Sequence, residues 1–202
     1  MHILTAKINM RGIDMNINSC SFCGPDLLRF NFGYDEEDDL CLQIKETMRL
    51  QILVMYNRNV KNFYTDCEIG VPMWGAELVA DLMRQFKDIR LFCILPYEEQ
   101  ATKWSPDQRD RYFSILEKCS ITKYIHVKYT ESCYKDCDRY LIDHTDNVIA
   151  LYDNDPILSL NIVTQFITNA RQKSKTIIYI DPDSGFIRSK DQTRLSTVDM
   201  YS

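Results

Sequence analysis

The stretch Phe63-Tyr64-Thr65-Asp66-Cys67-Glu68-Ile69-Gly70-Val71-Pro72-Met73-Trp74-Gly75-Ala76-Glu77 decides how this chain folds. Val60 to Tyr64 reads as a short strand that runs into a polar loop. Gly70-Val71 then opens a segment in which Trp74, Leu78, Val79, Leu82, Met83 and Phe86 recur at helical spacing. A strand-loop-helix unit of this kind normally offers free backbone N–H groups to an anion. Here two acidic side chains, Asp66 and Glu68, stand in the loop itself.

The same alternation extends on both sides. Upstream, Asn18 to Phe22 is a candidate strand, and Leu40, Ile44, Met48, Ile52 and Met55 predict an amphipathic helix over Asp39 to Tyr56. The acidic run Asp35 to Asp39 immediately precedes that helix. It suits the positive end of the helix dipole better than a divalent cation. Downstream, Ile89 to Leu95 is a continuous apolar run, as expected of a strand buried on both faces. Ser105-Pro106 is an N-cap followed by proline at the first helical position, and it opens a helix to about Cys119. Strands follow at Lys123 to Val127, Asn147 to Tyr152 and Thr176 to Ile180. Helices lie at Asp136 to His144 and around Ile162 to Ala170. The expected fold is therefore α/β: a single Rossmann-like domain, a mainly parallel sheet with helices on both faces. Ligands in such sheets bind beyond the carboxyl ends of the strands.

The chain has 202 residues, 45% of them apolar and 26% charged, with a net charge of −5. That balance argues against nonspecific nucleic-acid binding, which needs a basic surface. No apolar run reaches the length of a membrane span and no leader pattern is visible, so a cytoplasmic location is expected. The eight cysteines are then expected to be reduced thiols. Cys20 and Cys23, with Cys133 and Cys137, have spacings that would suit zinc. Cys20 sits in an apolar strand pattern, however, where a buried thiol is the simpler reading. The three histidines, His2, His126 and His144, stand in no catalytic or metal motif, and no P-loop is present. No metal and no cofactor is expected.

Five blocks carry a resemblance. Cys20-Ser21-Phe22-Cys23-Gly24 with Phe32 to Asp38, then Phe63 to Glu77, then Pro96, Gln100 and Trp104, then Tyr129-Thr130 through Arg139-Tyr140-Leu141-Ile142-Asp143, and finally the strand ending at Tyr152-Asp153, occur in register over roughly residues 18–181. Together they resemble the YpsA-like branch of the SLOG superfamily, which also includes the DprA/Smf proteins and the LOG phosphoribohydrolases. The resemblance implies a Rossmann-like domain, expected over 17–182; the residues themselves read as a lead-in at 1–16 and a polar tail at 183–202. The resemblance also implies a nucleotide-derived small-molecule ligand and pairing into homodimers or higher homo-oligomers.

The ligand loops depart from the family pattern. Cys23-Gly24-Pro25-Asp26 replaces a Thr-Gly-His-Arg-Pro run, and Asp66 stands at a glycine position. Pro72 replaces an aspartate and Cys137-Asp138 an Arg-Asn pair, while Ile157-Leu158-Ser159 stands where Gly-Gly-Thr is usual. An added carboxylate beside a phosphate costs about 1–4 kcal/mol. The core positions stay apolar, so the fold is expected to be kept and the phosphate chemistry lost or re-aimed.

The candidate ligand-binding residues are Cys23, Gly24, Thr65, Asp66, Gly70, Tyr97, Gln100, Trp104, Arg139 and Asp153. Each has a plainer alternative. Gly70 serves a ligand or a tight turn. Gln100 and Trp104 read a base, or else cover the core edge. Arg139 meets a phosphate, or pairs with Asp138 or Asp143. Asp153 holds a ribose or caps a turn. Tyr97 is placed to stack. Trp74 on its apolar face reads as core. Glu77 matches the catalytic glutamate of LOG-type enzymes, but the cationic partners that such chemistry needs are missing. The expected function is therefore non-catalytic: sensing or sequestering a nucleotide-derived molecule. A ligand-free regulatory protein and a nucleotide N-glycosidase using Glu77 are the alternatives.

Overall fold

A computed structural model describes residues 18–152 and 162–188. The strands are β1 (Ser19–Cys23), β2 (Asn62–Thr65), β3 (Arg90–Tyr97), β4 (Ile121–His126), β5 (Asn147–Leu151) and β6 (Thr176–Ile180). The helices are α1 (Asp39–Asn57), α2 (Val71–Leu82), α3 (Pro106–Lys118), α4 (Cys133–His144) and α5 (Ile162–Gln172). The six strands form one parallel sheet in the order β4-β3-β2-β1-β5-β6. The chain builds outward from β1 to β4 and then returns to lay β5 against the other side of β1. That return creates a switch point between β1 and β5, where a crevice opens at the carboxyl ends of the strands.

Side chains alternate between the two faces, and both faces are covered. Cys20, Phe22, Phe63, Leu91, Cys93, Leu95 and Ile149 pack under the layer that includes α1 and α2. Cys23, Ile94, Val148 and Ala150 pack under α4 and α5. This is why the strand sequences read as continuous apolar runs. Cys20 and Cys23 therefore belong to opposite faces of one strand, so the Cys-x-x-Cys spacing cannot converge on a single metal.

Helix starts follow their local chemistry. The Asp38 carboxylate accepts from Leu40 N–H (2.8 Å) ahead of the buried α1 stripe of Cys41, Ile44, Met48, Ile52 and Met55. Ser105 and Gln108 form a full capping box at α3, with Pro106 at the first turn. α4 begins at Cys133, earlier than periodicity alone suggests, and β4 ends at His126 because its pairing with β3 ends there. Beyond β6 the chain turns back. Ile187 bridges Ile180 antiparallel, and the Thr47 hydroxyl donates to Gly185 C=O (2.6 Å). The Arg188 guanidinium pairs with Asp181 (2.6 Å). The expected lead-in at 1–16 and the expected tail beyond 188 lie outside the described residues. Among the described residues, no helix is long and apolar enough to cross a membrane.

α2 is the most enclosed helix. Val71 through Ala76 are all buried, and Gly75 lies directly on Phe22 of β1. A Cβ at Gly75 would stand 2.5 Å from the Phe22 ring, which is itself held in a stack with Phe63. Helix propensity alone would make Gly75→Ala a gain of about 1 kcal/mol. Overpacking of a core contact costs about 1–3 kcal/mol and acts in the opposite direction. Gly75→Ala is therefore expected to lower stability on balance, read as a lower midpoint in urea unfolding with an unchanged slope.

Candidate functional site

A cavity of about 440 Å³ opens at the switch point. Phe22, Cys23 and Gly24 reach it from β1 and its following loop, Asp66, Glu68 and Ile69 from the β2–α2 loop. Tyr134 and Asp138 reach it from α4, Val163 and Phe166 from α5, and Tyr34 and Asp26 stand at its rim. Its polar side chains include four acids, Asp26, Asp66, Glu68 and Asp138. Among the described residues, no lysine, arginine or histidine lines it.

The β2–α2 loop is braced from within. Thr65 Oγ1 accepts from Cys67 N–H (3.0 Å) and donates to Pro72 C=O (2.9 Å), so this buried hydroxyl ties the two ends of the loop together. Cys67 sits at φ 57° and Gly70 at φ 97°, the left-handed geometry that the tight path requires. Gly70 precedes α2 with no side-chain cap. Gln100, buried after β3, donates through Nε2 to Asp66 C=O and to Glu68 Oε2, both at 3.1 Å. Among the described residues, its Oε1 has no hydrogen-bond partner. Thr65, Gly70 and Gln100 thus shape the loop from behind, while Asp66, Cys23 and Gly24 face the cavity.

Two carboxyl groups are held near neutrality. Burial, reinforced by the Glu68 and Asp138 charges, pushes Asp66 up to about 8, although its Oδ1 accepts from Glu68 N–H (3.0 Å). Burial alone pushes Asp138 up to about 7. Burial also raises Glu68, against hydrogen bonds from Gln100 and Tyr134 that favour its charged form. Burial, reinforced by the Asp138 and Asp66 charges, pushes the thiol of Cys23 well above its ordinary range, which disfavours the thiolate form.

The other candidates lie elsewhere. Tyr97 packs edge-on against Tyr129 and against Tyr134, one step behind the cavity wall. Trp104 sets its ring edge-on to Tyr112 of α3 and is not a lining residue. Arg139 is exposed and bonds Asp136 (2.8 Å) on its own helix. Asp153 lies outside the described residues. Glu77 borders a separate cavity of about 510 Å³ between α2 and α3. It pairs there with Arg111 Nε (2.7 Å). Arg111 also grips Glu36 (2.8 Å), which accepts from Trp74 Nε1 (2.9 Å) and from Lys45. Burial alone would raise Glu36, but these donors outweigh it and hold the carboxyl below its ordinary range.

Tyr134, Asp138 and Phe166 line the cavity without having been candidate ligand-binding residues, although Asp138 had been noted as a departure from the family pattern. Tyr134 and Asp138 are four apart on one helix, so they share a face, and that spacing was the available signal. Phe166 carries none, because it sits in an apolar stripe like any core residue.

Comparison with known proteins places this architecture. The model of the family described as YspA SLOG family matches residues 27–184. The chain belongs to the YpsA SLOG family. The UPF0398 protein of Staphylococcus epidermidis is 27% identical over 135 residues, covering 62% of this chain and 72% of that one. The UPF0398 protein YpsA of Bacillus subtilis is 24% identical over 127 residues, covering 61% and 71%. The counterpart in Halalkalibacterium halodurans is 32% identical over 116 residues, covering 55% and 60%. The SLOG fold expected from the sequence is thus established together with the family, and the acid-lined cavity sits where that fold opens its crevice.

The raised carboxyls set a pH dependence. Between about pH 5 and pH 8 the folded chain keeps protons at Asp66 and Asp138 that the unfolded chain has lost, so stability falls as pH rises. The slope is at most about 1.4 kcal/mol per pH unit per group, and less here because both side chains are partly open to the cavity. Asp66→Asn and Asp138→Asn are each expected to flatten the loss. Urea midpoints measured across that range will read it.

Proposed function

We propose that this protein is a non-catalytic binder of a nucleotide-derived small molecule, held with its base or ribose end inward in the switch-point cavity. The observation that carries this reading is a ligand-sized cavity whose polar wall is acidic and, among the described residues, has no cationic side chain. Where Asp66 and Asp138 are ionised, a phosphate would meet them at a cost of about 1–4 kcal/mol per close contact. A base amide edge or a ribose diol meets them favourably. A carboxylate accepts two donors side by side, and a protonated carboxyl both donates and accepts. Tyr34, Tyr134 and Phe166 offer aromatic surface to the flat part of such a ligand. Phosphate groups, where the ligand carries them, then point to solvent.

The hydrolase alternative draws little from this arrangement. Glu77 is engaged with Arg111 between α2 and α3 and does not face the cavity. Sensing or sequestering a signal molecule fits a site built for holding.

Thermal shift against nucleosides, nucleotides, cyclic dinucleotides and ADP-ribose derivatives tests the reading. At least one compound is expected to raise the melting temperature in a concentration-dependent way. Asp138→Asn is expected to weaken that compound about tenfold, as the loss of a buried hydrogen-bond partner does. Asp66→Gly is expected to shift preference toward phosphorylated members of the panel. If no compound at millimolar concentration stabilises either the parent chain or Asp66→Gly, the binding reading fails.

A further inference from the structure

Four carboxyl groups reach the switch-point cavity, and three of them are already engaged by the protein. Asp26 Oδ1 accepts from Leu28 N–H (2.8 Å), Asp66 Oδ1 from Glu68 N–H (3.0 Å) and Glu68 Oε2 from Gln100 Nε2 (3.1 Å). Asp138 differs. Among the described residues, burial is the only influence on its carboxyl, and no donor holds either oxygen. It stands on α4 one turn after Tyr134 and on the same face, with Phe166 of α5 lining the same cavity. A half-buried carboxylate with two open oxygens is a bidentate acceptor. It pairs best with two N–H donors that lie side by side in one plane.

We propose that the ligand carries a guanine base whose N1–H and N2–H groups pair with the two oxygens of Asp138, an inference that rests on reading the cavity as a site for a nucleotide-derived molecule. A base held in a protein pocket is read along its hydrogen-bonding edge. Guanine is the one common base with two adjacent donors on that edge. Adenine and cytosine each set a ring nitrogen lone pair beside the amino group, and uracil has a single N–H between two carbonyls. Each of these turns an acceptor toward one oxygen of an ionised Asp138, which is repulsive. The neighbouring acid supplies a third partner. Guanine O6 is an acceptor beside N1–H and calls for a donor. Burial, reinforced by the Glu68 and Asp138 charges, pushes Asp66 up to about 8, and burial pushes Asp138 up to about 7. Asp138 is thus the first of the pair to ionise, and Asp66 is the one that keeps its proton. A protonated Asp66 donates through Oδ2, because Oδ1 already accepts from Glu68 N–H. The two acids together therefore present one donor and two acceptors, the complement of O6, N1–H and N2–H. Tyr134 and Phe166 add aromatic faces on which a purine stacks.

Isothermal titration of the full chain with guanosine, inosine, xanthosine, adenosine, cytidine, uridine and their 5′-monophosphates tests this. Guanosine is expected to bind about tenfold tighter than inosine, which differs only in lacking the 2-amino group, and tighter than the other nucleosides. Asp138→Asn exchanges one acceptor for a donor. It is expected to weaken guanosine about tenfold and to strengthen xanthosine, whose edge sets a carbonyl beside N1–H, so that xanthosine becomes the better ligand. An Asp138 that merely supports the fold would lower all affinities alike. The guanosine and inosine comparison uses the parent chain and decides the matter even where Asp138→Asn does not fold. If inosine, adenosine, ADP-ribose or a pyrimidine nucleoside binds as tightly as guanosine, the guanine reading is overturned while nucleotide binding stands. If Asp138→Asn lowers guanosine and inosine by the same factor and gains nothing for xanthosine, Asp138 does not read the base and the proposal is overturned. If no nucleoside, no monophosphate and no ADP-ribose binds, both readings fall together.

Discussion

The close approach of α2 to β1 is the constraint on which the rest of the molecule depends. It is made by two residues without a Cβ. Gly75 lets the helix lie on the Phe22 ring, and Gly24 leaves room for Val71, whose side chain would stand 2.3 Å from a Cβ there. With α2 pressed this near the sheet, the β2–α2 loop has only a tight path. That path forces positive φ at Cys67 and Gly70 and brings Asp66 to the crevice floor. The loop's backbone is then consumed internally by Thr65, Gln100 and Asp66 itself. Few donors remain for a phosphate, and the acidity of the wall follows from the same geometry.

The crevice is defined by the polarity of its wall as much as by its shape. Asp66 and Asp138 are kept near their neutral forms by burial, not by ion pairing. They therefore stay available, unlike Glu36 and Glu77, whose carboxylates are saturated by Arg111, Lys45 and Trp74. The chain thus divides its acids between two tasks on opposite sides of α2. One set locks helices together, and the other lines open space.

Most of the fold was legible from periodicity. The α1 stripe, the Ser105-Pro106 start of α3 and the apolar runs of β3 and β5 all read correctly, because each depends on neighbours in sequence. The site was legible only in part. Cys23, Gly24 and Asp66 lie on strand ends, where the topology rule points, and they reach the cavity. Trp104 has the right chemistry, but it follows a short 3-10 turn that delivers its ring to Tyr112 instead. Arg139 is one residue from Asp138, and one residue on a helix is a rotation of about 100°. That step carries it from the cavity wall to solvent and to Asp136. Residue type signals what a side chain can do, whereas direction is decided by packing.

The Glu36 carboxylate joins the loop that bears Tyr34 to α1, α2 and α3 at one point. Directional bonds of this kind make that side of the molecule stiff. The other side is held chiefly by apolar packing, which is not directional: Cys137, Leu141 and Ile142 cluster with Phe166 and Ile167, and the ion pair of Asp143 with Lys173 lies at its margin. The crevice is therefore bounded on one side by a wall fastened with directional bonds and on the other by helices seated chiefly through apolar packing, and the carboxyl of Asp66 stands on the fastened side.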